Sequence, residues 1–171
     1  MSPAADTISI RLIGPDDDVE ALTALLHRAY SVLGAMGLNY TAVDQTPEVT
    51  RERFAGGIGL AATDQAGRIV GTLVFYPPGK QSGSPWLKRP EVAHFGQFGV
   101  EPPLQKRGIG SRLMDAAEDM ARDAGARELA LDTAEPALHL IDWYSRRGYR
   151  FIEYAQWRGK RYCSVIMSKT L

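Results

Sequence analysis

The segment Gln105-Lys106-Arg107-Gly108-Ile109-Gly110-Ser111 is the part of this chain best suited by residue type and spacing to do chemistry. It follows a run of β character at 92–100 and opens a helical stretch at 111–123. The first N–H groups of a helix have no partner inside it, and the helix dipole places partial positive charge there. Glycines let an anion come close to the backbone. Strand, glycine loop and helix together form a phosphate cradle. A Walker A loop would need Lys-Ser or Lys-Thr after the last glycine, and Gly110 is followed by Ser111-Arg112. A dinucleotide fingerprint fits Gly108 and Gly110, with Asp132 near the acidic position. It fails at Leu113, where a third glycine is needed, and at the spacer Glu101-Pro102-Pro103-Leu104, too long for the tight turn.

More of the chain agrees with a third reading. Val100-Glu101-Pro102 followed by Gln105-x-x-Gly108-x-Gly110 resembles motif A of the GCN5-related N-acetyltransferases (GNAT). Downstream, Tyr144-x-x-x-Gly148-Tyr149, on a helix at 137–147 that leads into a strand, is similar to that family's motif B. The two stand in order, with a strand at 128–133 between them. The asparagine often found near the start of the motif B helix is Ala137 here.

Composition sets the frame. The chain has 171 residues, enough for one domain with a sizeable core, and is read as a single domain over 1–171. Twenty basic and twenty acidic residues balance, so no cationic excess marks a nucleic-acid binder. No apolar run reaches the ~20 residues that span a bilayer, and residues 1–6 lack the basic and apolar regions of a signal peptide. The single cysteine, Cys163, precludes an internal disulfide, and a cytoplasmic setting is expected.

The elements that must position the motifs can be read in order. Residues 7–13 alternate as a strand, and Pro15-Asp16-Asp17-Asp18 caps a helix whose buried face carries Val19, Leu22, Leu25, Leu26 and Tyr30. Residues 38–45 read as irregular, and Thr46-Pro47-Glu48 starts a second helix through 55. Strands follow at 57–63 and 68–76 around Asp64-Gln65-Ala66-Gly67. A Pro- and Gly-rich loop at 77–90 precedes the motif A strand. Two strands, 151–157 and 162–168, close the chain. The order β-α-α-β-β-β-α-β-α-β-β is what the GNAT resemblance implies: an α/β fold with a mixed central sheet of six or seven strands and helices on both faces.

The resemblance also implies a reaction and a cosubstrate. Acetyl-CoA would donate an acetyl group to a primary amine by direct attack in a ternary complex, without a metal. Backbone amides at Phe98, Gly99 and Val100 would face the thioester, within a stretch 97–100 that would carry a strand bulge, Gly99 being suited to one. The pyrophosphate would lie on Gln105, Lys106, Arg107, Gly108, Ile109, Gly110 and Ser111. Tyr144 would act as general acid toward the departing thiolate. His94, six residues before Val100 on the same strand, is the candidate base. Glu91, Asp132 and a water chain are alternatives for it.

The acceptor pocket would draw on Tyr30, Met36, Asn39, Tyr40, Asp44, Trp86 and Lys88. Their aromatic content points to a small-molecule or peptidic amine, and Asp44 to an ammonium contact. No nucleic-acid or membrane partner is expected, and the chain is expected to be a monomer or homodimer. A non-catalytic acyl-CoA-binding module of the same fold, or a nicotinamide-dependent oxidoreductase, are the competing readings.

Overall fold

A computed structural model describes residues 7–79 and 83–171. The chain runs β1 (Ser9–Leu12), α1 (Val19–Ala35), α2 (Thr41–Asp44), α3 (Pro47–Ala55), β2 (Ile58–Thr63), β3 (Ile69–Tyr76), β4 (Val92–Val100), α4 (Ile109–Asp123), β5 (Glu128–Ala134), α5 (Leu138–Arg146), β6 (Arg150–Ala155) and β7 (Ser164–Thr170). A 3₁₀ turn over Pro102–Leu104 joins β4 to the loop before α4. The expected order stands, with the single helical turn α2 added where irregular chain was expected.

The sheet has seven strands in the order β1-β2-β3-β4-β5-β7-β6. Every neighbouring pair is antiparallel except β4 and β5. This topology excludes the dinucleotide reading, whose loop follows the first strand of a mostly parallel sheet.

Helices cover both faces, and two glycines show which lies where. A Cβ on Gly71 of β3 would meet Leu113 and Ile109 of α4. A Cβ on Gly99 of β4 would lie 2.9 Å from the Ala29 Cβ of α1. Gly99 pairs with Thr72, the neighbour of Gly71, and successive strand residues face opposite sides. So α1 and α4 cover opposite faces. The main core lies on the α4 side and joins Leu73, Phe75 and Phe95 to Leu113, Met114 and Ala117 and to Tyr144 and Tyr149.

The helix starts follow capping rules. Asp18 accepts from Glu20 N at 2.9 Å and Ala21 N at 3.1 Å, while Asp17 instead pairs with Arg11. Thr46 caps α3, with Pro47 in its first turn.

Candidate active site

The parallel strands β4 and β5 stay together for only three register pairs, Val92↔Glu128, Ala93↔Leu129 and His94↔Ala130. Beyond these, β4 continues to Val100 and β5 to Ala134, unpaired with each other. A wedge therefore opens in the middle of the sheet. On the β5 side, Glu135 N–H bonds Cys163 O of the β7 segment, so Ala134 N–H points the other way, into the wedge. There it donates to the Tyr40 hydroxyl at 2.8 Å, which also contacts Thr133 Oγ1 at 2.9 Å.

On the β4 side a bulge sets the geometry. Val74 pairs with Gly96 and Thr72 with Gly99, so Gln97 and Phe98 together oppose Leu73. Gln97 takes the left-handed φ of 49°. The bulge lies within the expected stretch 97–100, on Gln97 and Phe98 rather than at its glycine. Gly99 is explained instead by the close approach of α1. The extra residue changes which way β4 faces. Phe95 and Phe98 both reach the α4 side, in edge contact at 6.0 Å, while Gln97 turns to the other face and lines its cavity. Gln45 Nε2 donates to Gln97 Oε1 at 2.8 Å and to Thr50 Oγ1 at 2.7 Å. A side-chain network from Gln45, between α2 and α3, and Thr50 of α3 thus grips the bulged residue.

The loop before α4 has the cradle geometry. Gln105 Nε2 donates back to Val100 O at 3.1 Å, tying the loop to the end of β4. Lys106 adopts φ 63° and Gly108 φ 84°. Gly108 is the N-cap of α4, and no side chain caps the helix. The first amides of α4 are thereby left to an outside acceptor. A Cβ at Gly108 would meet nothing within 4 Å, so conformation alone demands glycine there. At Gly110 the reason is space, because a Cβ would lie 3.2 Å from Phe98 Cζ.

Tyr144 of α5 is 7% exposed and packs edge-on against Phe95, Trp143 and Tyr149. Burial, and then the neighbouring phenols of Tyr30 and Tyr40, push its pKa well above the usual tyrosine value. Tyr30 belongs to α1, on the far side of the sheet, so this influence acts across the wedge between the strands. The same burial raises Tyr30, with Phe98 N–H opposing it.

On the α1 side lies a cavity of about 640 Å³, walled by Tyr30, Tyr40, Tyr76, His94, Gln97 and Asp132 among others. His94 stacks on Tyr76 at 5.5 Å. Its Nε2 lies 3.3 Å from Asp132 Oδ1, and Trp157 Nε1 donates to Asp132 Oδ2 at 3.0 Å. Burial pushes the Asp132 carboxyl up. The hydrogen bond and charge of His94 and the Trp157 indole outweigh that and hold it below its ordinary range.

His94, Phe98, Gly99 and Val100 thus lie along the β4 side of the wedge, the loop 105–111 follows the end of that strand, and Tyr144 packs on Phe95 of the same strand from the α4 side. Of the residues expected at the acceptor pocket, Tyr30 and Tyr40 line the cavity. Asn39 instead holds Gly159 O and Arg161 N, and Asp44 is exposed at the end of α2. Met36, Trp86 and Lys88 do not line it. The pattern of motifs gave no sign of Arg53, Arg158 and Lys160, which do. They come from α3 and from the β6–β7 connection and meet only in the folded chain.

A family model described as the acetyltransferase (GNAT) family matches residues 20–149. The chain belongs to this family. This GNAT is accordingly an acyltransferase. It is similar to the S-(2-succino)cysteine N-acetyltransferase of Bacillus subtilis (strain 168), 32% identical over 158 residues that cover 90% of this chain and 91% of that protein. It is also similar to the mycothiol acetyltransferase of Propionibacterium freudenreichii subsp. shermanii, at 27% identity over 80% of this chain but 41% of that protein. Among solved structures, a GNAT family acetyltransferase from Elizabethkingia anophelis with acetyl-CoA bound superimposes with a TM-score of 0.69 at 17% identity, covering 97% of this chain and 99% of that one. A GCN5-related N-acetyltransferase from Kribbella flavida reaches 0.73 at 19% identity, over 97% and 99%. At that identity the two structures share the fold.

Proposed function

We propose that this GNAT moves an acetyl group from acetyl-CoA to the primary amine of a small-molecule acceptor, by direct attack in a ternary complex. One observation carries the reading. The wedge between β4 and β5 connects an uncapped helix start, fit for phosphate, with a cavity that holds a histidine–carboxylate pair. A long thioester with its phosphates at α4 would reach that cavity through the wedge. The two enzymes similar in sequence are named for small molecules, S-(2-succino)cysteine and mycothiol, which favours a small acceptor over a peptide.

The chain's own residues then take these roles. The backbone from Lys106 to Ser111 holds the pyrophosphate, with the Lys106 and Arg107 side chains on its oxygens. Glu101 N–H bonds Val70 O of β3, so the N–H groups of Val100 and Phe98 turn toward the wedge. They would meet the thioester carbonyl, where negative charge develops, that of Phe98 leaving the Tyr30 hydroxyl to do so. His94, oriented by Asp132, takes the proton from the attacking amine. The new C–N bond forms as the C–S bond breaks. Tyr144 donates a hydrogen bond, and then its proton, to the departing sulfur. Its raised pKa keeps the phenol protonated, and also makes it a reluctant acid, so its contribution is modest. Solvent restores both groups.

The test is direct. The purified protein is mixed with acetyl-CoA and S-(2-succino)cysteine, and free thiol and N-acetylated product are followed, with thermal shift by acetyl-CoA and by NAD alongside. Stabilisation by acetyl-CoA alone, with thiol release dependent on an amine, supports the proposal. No stabilisation by any CoA ester at millimolar concentration overturns it.

A further inference from the structure

We infer that the acceptor is an amino acid carrying two or more carboxylates, and that Arg53, Arg158 and Lys160 hold them. The inference rests on the acetyl-transfer reading and names the acceptor class for the same site. Its basis is the charge on the cavity walls. Arg53 comes from α3, Arg158 and Lys160 from the β6–β7 connection, and all three line the one cavity. Among the described residues, neither Arg53 nor Arg158, both exposed, forms an ion pair, so each guanidinium is available to an outside carboxylate. The chain as a whole is neutral, so this excess is local.

Lys160 is the most telling of the three. Its Nζ donates to Asn39 O at 2.7 Å and to Thr41 Oγ1 at 3.0 Å, both neutral acceptors. An ammonium has three donors, so one remains. The side chain is only partly exposed, and no carboxylate forms an ion pair with it among the described residues, so its charge is costly to hold there. Burial, and then the charge of Arg53, weaken its hold on the proton more than the charges of Asp44 and Asp132 strengthen it. Two cations from different elements thus share one cavity, and neither has an ion-pair partner among the described residues. An anion in the cavity removes that cost, and the planar fork of arginine suits a carboxylate.

The cavity's acids do not fill this role. Asp132 is engaged by His94 and Trp157, and Asp44, which also acts on Lys160, is exposed and does not line the cavity. Glu52 neighbours Arg53 on α3, and residues adjacent in a helix do not face each other. The CoA phosphates would lie elsewhere, at loop 105–111. The cavity therefore has a polarity. The amine belongs at His94 and Asp132, beside the wedge, and the carboxylates at Arg53, Arg158 and Lys160.

The experiment compares S-carboxymethyl-L-cysteine, its diamide and S-(2-aminoethyl)-L-cysteine as acceptors, with acetyl-CoA saturating. The expected kcat/KM for the dicarboxylate is at least tenfold above either analogue. In Arg53→Ala, Arg158→Ala and Lys160→Met the KM for the dicarboxylate rises about tenfold or more while kcat changes less, and the preference over the diamide narrows. Stabilisation by acetyl-CoA, read on the same samples, shows that each variant is folded. A diamide or aminoethyl analogue used as well as the dicarboxylate overturns the inference, as does an intact preference in the Arg53→Ala/Arg158→Ala double variant. Absence of acetyl-CoA stabilisation in the unmodified protein would instead remove the acetyl-transfer reading, and this inference with it.

Discussion

His94 and Asp132 join β4 to β5 at the last point where the two strands are still neighbours. His94 sits in the final register pair, opposite Ala130, and Asp132 lies two residues further along β5 on the same face. The 3.3 Å contact between their side chains spans the mouth of the wedge. An imidazole held there is fixed in place and faces the cavity. For His94→Gln we expect kcat to fall by ~10²–10⁴, the usual range for a general base, with acetyl-CoA stabilisation retained. Steady-state thiol release and thermal shift check this. Unchanged kcat would leave His94 a structural partner of Asp132 and Tyr76.

Asp132 gives a dependence on pH that stability measurements can read. Its carboxyl is held below the ordinary value, so the folded state favours the charged form. The stability it contributes is complete above the ordinary carboxylate range and is lost as pH falls through the depressed folded value. Asp132→Asn should therefore lower Tm at pH 7, and the difference should shrink toward pH 3. A constant difference across that range would show that the carboxylate charge contributes nothing.

For the phosphate cradle the prediction is a charge test. Gly108→Asp adds a carboxylate where the structure leaves open space, at a φ that aspartate tolerates better than most residues. The variant should fold and lose acetyl-CoA binding. At 100-fold excess over Kd the unmodified protein should gain about 2.7 kcal/mol from the ligand, and the variant almost none. Gly110→Asp should do the same, with a further stability cost from the Phe98 ring. Normal binding by a folded Gly108→Asp protein would place the phosphates elsewhere.

Tyr144→Phe keeps the ring and removes the hydroxyl. We expect kcat to fall by ~10²-fold or less, the lower end of acid–base contributions, because a thiolate leaves readily and the buried phenol is a weak acid. Stability should change by less than about 1.5 kcal/mol, as for other volume-conserving swaps. Activity equal to the unmodified protein at every pH would make solvent the proton donor.

A stability prediction falls far from the wedge. Glu118 of α4 is buried and accepts from Tyr149 OH at 3.0 Å and from Lys169 Nζ at 3.1 Å. Glu118→Ala would strand both donors, and removal of one partner from a buried pair typically costs ~3–5 kcal/mol. Denaturant unfolding should show a loss near the low end of that range, because Lys169 is partly exposed. A loss below about 1 kcal/mol, the level of exposed pairs, would count against a structural role for the network.

The sequence was most legible where local rules and the motifs coincide. Residues 92–100 form β4 as read, and Asp18, Thr46 and Pro47 start their helices by capping chemistry. Helix α4 begins two residues before the expected Ser111, because Gly108 in the left-handed region ends the loop there. The final strands run 150–155 and 164–170 rather than 151–157 and 162–168. Trp157 leaves its strand to reach Asp132, and the Tyr162 ring stacks on Tyr40. These are tertiary contacts without a local signal. The bulge falls inside the expected stretch 97–100, but not on its glycine. Gly99 looked like the irregular residue, but a side-chain bond from Gln45 holds Gln97 at positive φ. Arg53, Arg158 and Lys160 lie in no motif, and their common wall exists only after α3 and the β6–β7 connection have met.

The three register pairs between β4 and β5 also divide the sheet mechanically. Strands β1 to β4 form one leaf, and β5, β7 and β6 the other, hinged along 92–94 and 128–130. Backbone amides of β4 beyond His94 that face the wedge have no strand across from them, so in the ligand-free protein they should exchange hydrogen with solvent faster than the amides of β3 beside them. A thioester lying in the wedge would slow that exchange and couple the two leaves into one cooperative unit. Occupancy would then be readable as rigidity of the whole sheet, even with an acceptor too poor to react.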